Sequence, residues 1–503
     1  MQGFSGGVVA DEPRAALIGR DVLSAGGTAA DAAVATYLTL AVTMPSVGSL
    51  GGGGMCLVYD AESEEAVALD FLPRAPGSID RAADRPAAVP GALRGLFALH
   101  ARYGTLRWAQ VVSAAENLAR FGSSVSRALD RELQIARSAL GADPEMTRIF
   151  SRDDGALVKE GDNLKQFDLA AVLGTARGRG AGALYEGPLA KRFVDAAAEI
   201  GAGLTIQDMR GYRPVWYDPV AVEFGDHIML FAPPPAPFGL TQAQLWQMLT
   251  EGQALDDAEP DEVYHRFVEA HKRALAARAA RRRAAENSIA IEDIVSEDEA
   301  ESMMRDYSAT SSSSIGSVLG PERIDLLGGG GFVAVDRFGG AVACGVTMNY
   351  PFGTGRVAAG TGIVLAAAPG IGGRAPISVA PVMLVNQANR NVIFAGSAAG
   401  GAAAAASVVS VALNTLLLEQ SLERAVTAPR AQFAPIGGQV LVERDSAPEV
   451  TPKLVSRGHS VQPVATLGRV GAVYCDEGLR EEPESCVLQA DPRGHGLAAS
   501  PDL

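Results

Sequence analysis

The sequence predicts a layered α/β protein. Strand-like and helix-like segments alternate in both halves of its 503 residues, and 48% of them are hydrophobic against 20% charged. That is enough apolar side-chain surface for a large core built of stacked helices and sheets. No fixed-period repeat is visible, which argues against a solenoid.

Residues 14–44 read as two alanine-rich helices separated at Gly26-Gly27, and Thr28 or Asp31 stands where the second needs a cap. Residues 46–60 (SVGSLGGGGMCLVYD) read as a glycine-rich turn entering a strand, and AVALDFLPRAPG supplies a second strand after a short acidic turn. Residues 89–140 are helical in pattern. Residues 190–250 mix strand and helix, with a proline-rich loop leading into a helix. Residues 261–307 form a long charged helical region. Its basic run 272–283 (KRALAARAARRR) and its acidic stretch 292–301 are expected to form a solvated face with local ion pairs. SATSSSSIGS (308–317) is the best linker candidate. Beyond it, residues 328–350 (GGGGFVAVDRFGGAVACGVTMNY) read as two strands joined by a tight turn at Gly339-Gly340. The alanine-rich stretch 401–418 reads as a buried helix.

The net charge of −15 argues against nucleic acid as the main partner, because neutralising phosphates needs clustered positive charge. The four cysteines are too few for a disulfide-built scaffold. Cys56 and Cys344 lie in apolar strand-like runs and are expected to be core thiols. Cys475 and Cys486 bracket an acidic loop; two unpaired thiols are the expectation there, with a disulfide across a hairpin left open. The first residues lack a basic and then apolar leader, and no apolar run of about 18 residues free of turn-formers stands out. A soluble cytoplasmic protein is the expectation, or a periplasmic one if a signal was removed.

Chemistry-bearing motifs are sparse. His265 and Glu269 are four apart on a helical stretch, as metal ligands can be, but no HExxH or CxxC accompanies them and a solvated face explains them better. The glycine runs 51–54 and 328–331 lack the GK[ST] of a phosphate loop, and there is no GxSxG elbow. No metal and no cofactor is expected.

Read together, nine segments in one order resemble the gamma-glutamyltranspeptidase family across nearly the whole chain. They are AGGTAADAAVA (25–35), MPSVGSLGGGGMCLVYD (44–60), LDFLPRAPG (69–77), VPGALRGLFALHARYGTLRW (89–108), LTIQDMRGYRP (204–214), VTMNYPFGTG (346–355), GSAAGG (396–401), TAPR (427–430) and DPRGHGLAA (491–499). The resemblance implies the N-terminal-nucleophile hydrolase fold, a four-layer αββα sandwich. It also implies a precursor that cuts itself in two and then attacks γ-glutamyl carbonyls with the freed N-terminal threonine. By that resemblance, residues 1–327 correspond to the large subunit and 328–503 to the small one, here expected to remain one uncleaved composite domain.

The family's threonine falls on Gly329, and Gly328 through Gly331 are all glycine, so sliding the register restores no hydroxyl. The arginine expected to bind a substrate carboxylate falls on Leu72; Arg74, two positions on, is a candidate substitute on the same strand face. The acid expected for the substrate amine has no counterpart in 362–373, and of the family's paired serines only Ser378 remains, beside Ile377. Gly400-Gly401 match the oxyanion-hole pair. Thr347 matches the threonine that hydrogen-bonds the nucleophile, and Asn349 the asparagine that contacts substrate; each of these has a plain structural reading as well.

Charged substrate ends need charged or hydrogen-bonding partners once water is excluded. The leading expectation is therefore a non-catalytic relative acting as scaffold, complex subunit or small-molecule binder, with a pocket made more apolar by Leu72 and Ile377. The alternative is a γ-glutamyl or acyl-amide hydrolase or transferase with an unrecognised nucleophile. Homodimerisation or a protein partner is left open.

Overall fold

The computed structural model describes residues 4–77, 85–253, 255, 259–284, 290–315, 328–370, 379–434 and 436–501. Thirteen strands build two antiparallel sheets: β1 (Gly6–Ala10), β2 (Gly53–Asp60), β3 (Glu65–Asp70), β4 (Val215–Tyr217), β5 (Val220–Phe224), β6 (His227–Phe231), β7 (Gly330–Asp336), β8 (Ala341–Thr347), β9 (Val382–Asn386), β10 (Val392–Ala399), β11 (Arg469–Cys475), β12 (Cys486–Gln489) and β13 (Leu497–Ala499). One sheet runs β13-β1-β7-β8-β2-β3-β4 and the other β12-β11-β10-β9-β6-β5. Around them lie α1 (Pro13–Ser24), α2 (Ala29–Thr43), α3 (Ala92–Tyr103), α4 (Trp108–Phe121), α5 (Arg127–Leu140), α6 (Phe167–Arg179), α7 (Gly187–Glu199), α8 (Gly239–Thr250), α9 (Pro260–Ala284) and α10 (Ala404–Leu416).

Strand periodicity sorts these side chains into layers. Every residue of β7 is buried. Phe332 and Ala334 point into the core shared with α1 and α2, while Val333 and Val335 point into a second core against the facing sheet. Met383, Ala395 and Val473 close that second core from the other side. A third core joins the second sheet to α8, α9 and α10 through Phe231, Trp246, Phe394 and Val408. The order is helices, sheet, sheet, helices, the four-layer arrangement expected from the resemblance. No helix among the described residues is long and apolar enough to cross a membrane.

Local signals hold where they were strong. Thr28 and Asp31 form a reciprocal capping box on α2, and the same Asp31 carboxylate takes the N–H of Thr105 at 2.9 Å and of Leu106 at 3.1 Å. The β7–β8 turn is closed by Asp336, whose carboxylate accepts from Phe338 and Gly340 and, at 2.7 Å, from Ala29 at the start of α2.

Several expectations are corrected. Cys56 and Cys344 are not core thiols: they face each other in the β2–β8 ladder and are disulfide-bonded. Cys475 and Cys486 pair likewise across β11 and β12. Strand register, which the sequence leaves undefined, decides both pairings.

His265 and Glu269 do not form a solvated face: they are 0% and 1% exposed. His265 shares a 2.8 Å hydrogen bond with His459, and Glu269 takes Lys272 at 3.0 Å and also Arg273. The basic run is accordingly half-buried. Lys272, Arg273 and Arg278 lie inside, with partners that include Glu269 on α9 itself, Asp306 and the Pro237 carbonyl. The Ser-rich segment is tied down where it is described: Ser312 donates its N–H to the Arg457 carbonyl at 2.7 Å, and Ser313 donates to Glu269. Positions 316 and 317 of the proposed linker lie outside the described residues.

Candidate functional site

The site lies where β7 begins and β10 ends, at the same edge of the two facing sheets. Gly331 is fixed on both sides: it pairs with Gly345 of β8, and its N–H donates to the Asp11 carboxylate at 2.7 Å. The two residues leading into the strand, Gly328 and Gly329, both have positive φ, 99° and 67°, a region that L side chains enter at a cost.

Opposite them β10 ends at Ala399, and the chain turns through Gly400 (φ 121°) and Gly401 (φ 59°) toward α10. A Cβ at Gly400 would stand 2.7 Å from the Gly468 Cα, so the backbones meet there directly. This turn aims two consecutive N–H groups at one point. Both donate to the Gly328 carbonyl oxygen, Gly400 at 3.2 Å and Gly401 at 2.9 Å. Two backbone donors on one carbonyl oxygen are the arrangement that stabilises a tetrahedral oxyanion. The carbonyl held there is the one that residue 328 contributes to the Gly328–Gly329 peptide bond.

Among the described residues that open β7, Gly328 to Gly331, none carries a hydroxyl. Gly329 has no side chain. A Cβ at Gly330 would meet Val47 Cγ2 at 2.9 Å, and one at Gly331 would meet Ser397 Oγ at 2.8 Å. Neighbouring side chains thus fill the space that larger residues would need. Ser397 itself is turned into the sheet, donating to the Cys344 carbonyl at 2.8 Å.

The other family-matched positions are also engaged within the chain. Thr347 Oγ1 accepts the Asn349 N–H at 2.8 Å, and Asn349, at φ 62°, donates its side-chain amide to the Ala367 carbonyl at 2.8 Å. Leu72 packs against the core between the sheets. Arg74 pairs with the buried Asp70 at 3.0 Å and lies 4.9 Å over the Tyr212 ring, whose hydroxyl donates to the Leu72 carbonyl. Ile377 and Ser378 lie outside the described residues.

Sequence reasoning missed the charged groups behind the glycine strand. Burial pushes the Asp11 carboxyl up to about 6, against the pull of Arg469 and of the Gly331 N–H, and it pushes Glu132 up as well. A single acid at a strand end reads as an ordinary turn residue, so only the fold brings α5 and the start of β11 to it. Beneath Gly468, the buried Arg430 donates to the Leu467 and Gly468 carbonyls at 3.0 and 3.2 Å and pairs with Asp491 at 2.8 Å. Among the described residues, no group of three His, Cys, Asp or Glu side chains is placed to hold a metal ion.

Comparison with known proteins gives a consistent picture. The sequence profile of gamma-glutamyltranspeptidase matches residues 15–500. The chain is 30% identical to the Acylase ACY 1 proenzyme of Pseudomonas sp. (strain V22) over 91% of its length and 88% of that protein's. It is 26% identical to the glutathione hydrolase proenzyme of Escherichia coli over 93% of its length and 88% of that protein's. The structure of cephalosporin acylase from Bacillus halodurans superposes with a TM-score of 0.82 at 22% identity, covering 99% of this chain and 96% of that one. The Helicobacter pylori gamma-glutamyltranspeptidase superposes at 0.55 with 26% identity, over 60% of this chain and 92% of that one.

Proposed function

Because this chain belongs to the gamma-glutamyltranspeptidase family, we propose that it is a member that has kept the amide-holding framework and lost the amide-cleaving step. It would serve as a scaffold, a complex subunit or a small-molecule binder. One observation carries the reading: the Gly400 and Gly401 N–H groups are occupied by the chain's own Gly328 carbonyl, and the next residue is glycine.

A hydroxyl on residue 329 would adjoin this carbonyl, but only from a backbone at φ 67° that a threonine enters at a cost. With glycine there, the carbonyl is polarised by two donors and nothing adds to it. The occupied donors are also closed to an outside carbonyl, so the chain's own backbone stands where a substrate would sit. Arg74 is committed to Asp70, which supports a site no longer built to read a substrate carboxylate. The two disulfides favour an oxidising compartment over the cytoplasm.

The test is the denatured intact mass together with an assay on a γ-glutamyl anilide. One species at 52.0 kDa with no anilide turnover is expected. Two fragments divided at residues 328 and 329 would overturn the reading. They would favour acyl-amide hydrolysis through another nucleophile, a reading that likeness to an acylase proenzyme keeps in view.

A further inference from the structure

A second concave surface lies far along the chain from the glycine strand, between α4, α6 and α7. It is a cleft of about 780 Å³ lined by Arg120, Arg177, Arg179 and Arg192, with Glu116 among the residues that form it. Glu116 is buried and takes two of these guanidiniums, Arg120 and Arg177, at 2.6 Å each. Burial raises its carboxyl pKa, and the two arginines more than reverse that, leaving it below the usual range. Arg179 and Arg192 are exposed and make no ion pair among the described residues. Four guanidiniums therefore line a cleft whose one carboxylate, Glu116, pairs with only two of them, on a chain whose net charge is −15.

Part of this cluster has a local explanation. Arg177 and Arg179 fall in the last turn of α6, where cations complement the helix dipole. Arg192 is not explained that way. It comes from the second turn of α7, and that helix opens with Gly187-Pro188-Leu189, of which Pro188 and Leu189 also line the cleft. Three helices thus converge their positive groups on one concavity, which focuses the field there.

We propose that this cleft binds a compact phosphate-bearing anion. Guanidinium groups match phosphate oxygens with paired, charge-assisted hydrogen bonds. The occupant is compact because the positive charge is confined to one concavity, and the acidic remainder of the surface repels an extended polyanion such as nucleic acid. It carries at least two negative charges, because two guanidiniums remain unmatched after Glu116 is counted.

The experiment is titration calorimetry of the full chain with pyrophosphate, at an ionic strength held constant with sodium chloride. Parallel titrations use citrate and the R179Q/R192Q variant; both positions are exposed, so the fold should tolerate the exchange. Saturable pyrophosphate binding that weakens at least tenfold in the variant is the expected result. Heat no different from the chloride control, or equal binding by the variant, would overturn the proposal. Citrate binding as tight as pyrophosphate would overturn the phosphate assignment. A change in sedimentation of the variant without any loss of pyrophosphate binding would mark the cleft as a protein-contact face and overturn it as well.

Discussion

The N–H of Gly401 points at the carbonyl oxygen of Gly328 from 2.9 Å, and the Gly400 N–H reaches the same oxygen from 3.2 Å. The relationship makes any side chain at residue 329 a question of backbone shape as well as of chemistry.

A threonine placed back at this position has to adopt φ near 67°, a conformation that costs a β-branched residue roughly 1–2 kcal/mol. The Gly329→Thr variant is therefore expected to fold with slightly reduced stability and to remain a single chain. Its denatured mass after prolonged incubation checks this. Cleavage between residues 328 and 329 would show that the hydroxyl alone had been lost.

The buried Arg430–Asp491 pair supports Gly468, against which Gly400 packs. Removing one member of a buried pair strands the other charge, so Arg430→Met should cost about 3 kcal/mol. The R430M/D491L double variant should recover part of that loss. Urea midpoints for the two variants decide the matter, and a single variant as stable as the parent would contradict the assignment.

Two disulfides leave no free cysteine among the described residues. Thiol titration of the unfolded, unreduced protein should find none. Cys56 and Cys344 are 288 residues apart and Cys475 and Cys486 only 11. On chain-entropy grounds the long closure stabilises more, about 6 kcal/mol against roughly 3. Removing the Cys56–Cys344 pair should therefore lower the denaturation midpoint more than removing the other. Four reactive thiols in protein isolated without reductant would exclude both bonds.

Stability should fall on the acid side. Burial holds His271 near a pKa of about 4, and burial together with His265 does the same for His459. Unfolded histidine titrates near ~6.5. Both folded values are depressed, so the unfolded chain takes up these protons first. Their stabilisation is complete above pH ~6.5 and is lost as pH falls toward ~4, on the order of 1–3 kcal/mol each. Asp11, raised to about 6, acts in the opposite sense as pH rises from ~4 to 6, as do Glu12, Asp70, Glu132 and Asp336, which burial also raises; His227, His265 and His495, depressed by burial, act with the two histidines. Glu269, held down to about 2 by Arg273, Ser313 and Lys272 against its burial, contributes only at lower pH. Urea midpoints at pH 7.5, 6 and 5 should fall in that order, and His271→Gln should flatten the profile. A midpoint independent of pH would refute the account.

The sequence made the elements legible where local chemistry is self-contained. The Thr28–Asp31 box, the Gly339-Gly340 turn and the all-glycine start of β7 need only their neighbours to be recognised. Burial of His265 and Glu269 was not legible, because α9 is covered by segments far along the chain, including His459 and Ser308. Disulfide pairing depends on strand register, and Arg74's commitment depends on Asp70 and Tyr212 meeting it. The N–H cradle belongs to an intermediate class. Gly400-Gly401 could be singled out from sequence, but what fills it follows only from the facing of two sheets.

The strand order β13-β1-β7-β8-β2 has a mechanical consequence. β7 is stitched between β1 and β8, β1 holds β13 on its far side, and the Cys56–Cys344 bond crosses from β2 to β8. Residues 4–315 and residues 328–501 are therefore held together by strand ladders and by a covalent bond. Pulling them apart would mean tearing several ladders and breaking a covalent bond at once.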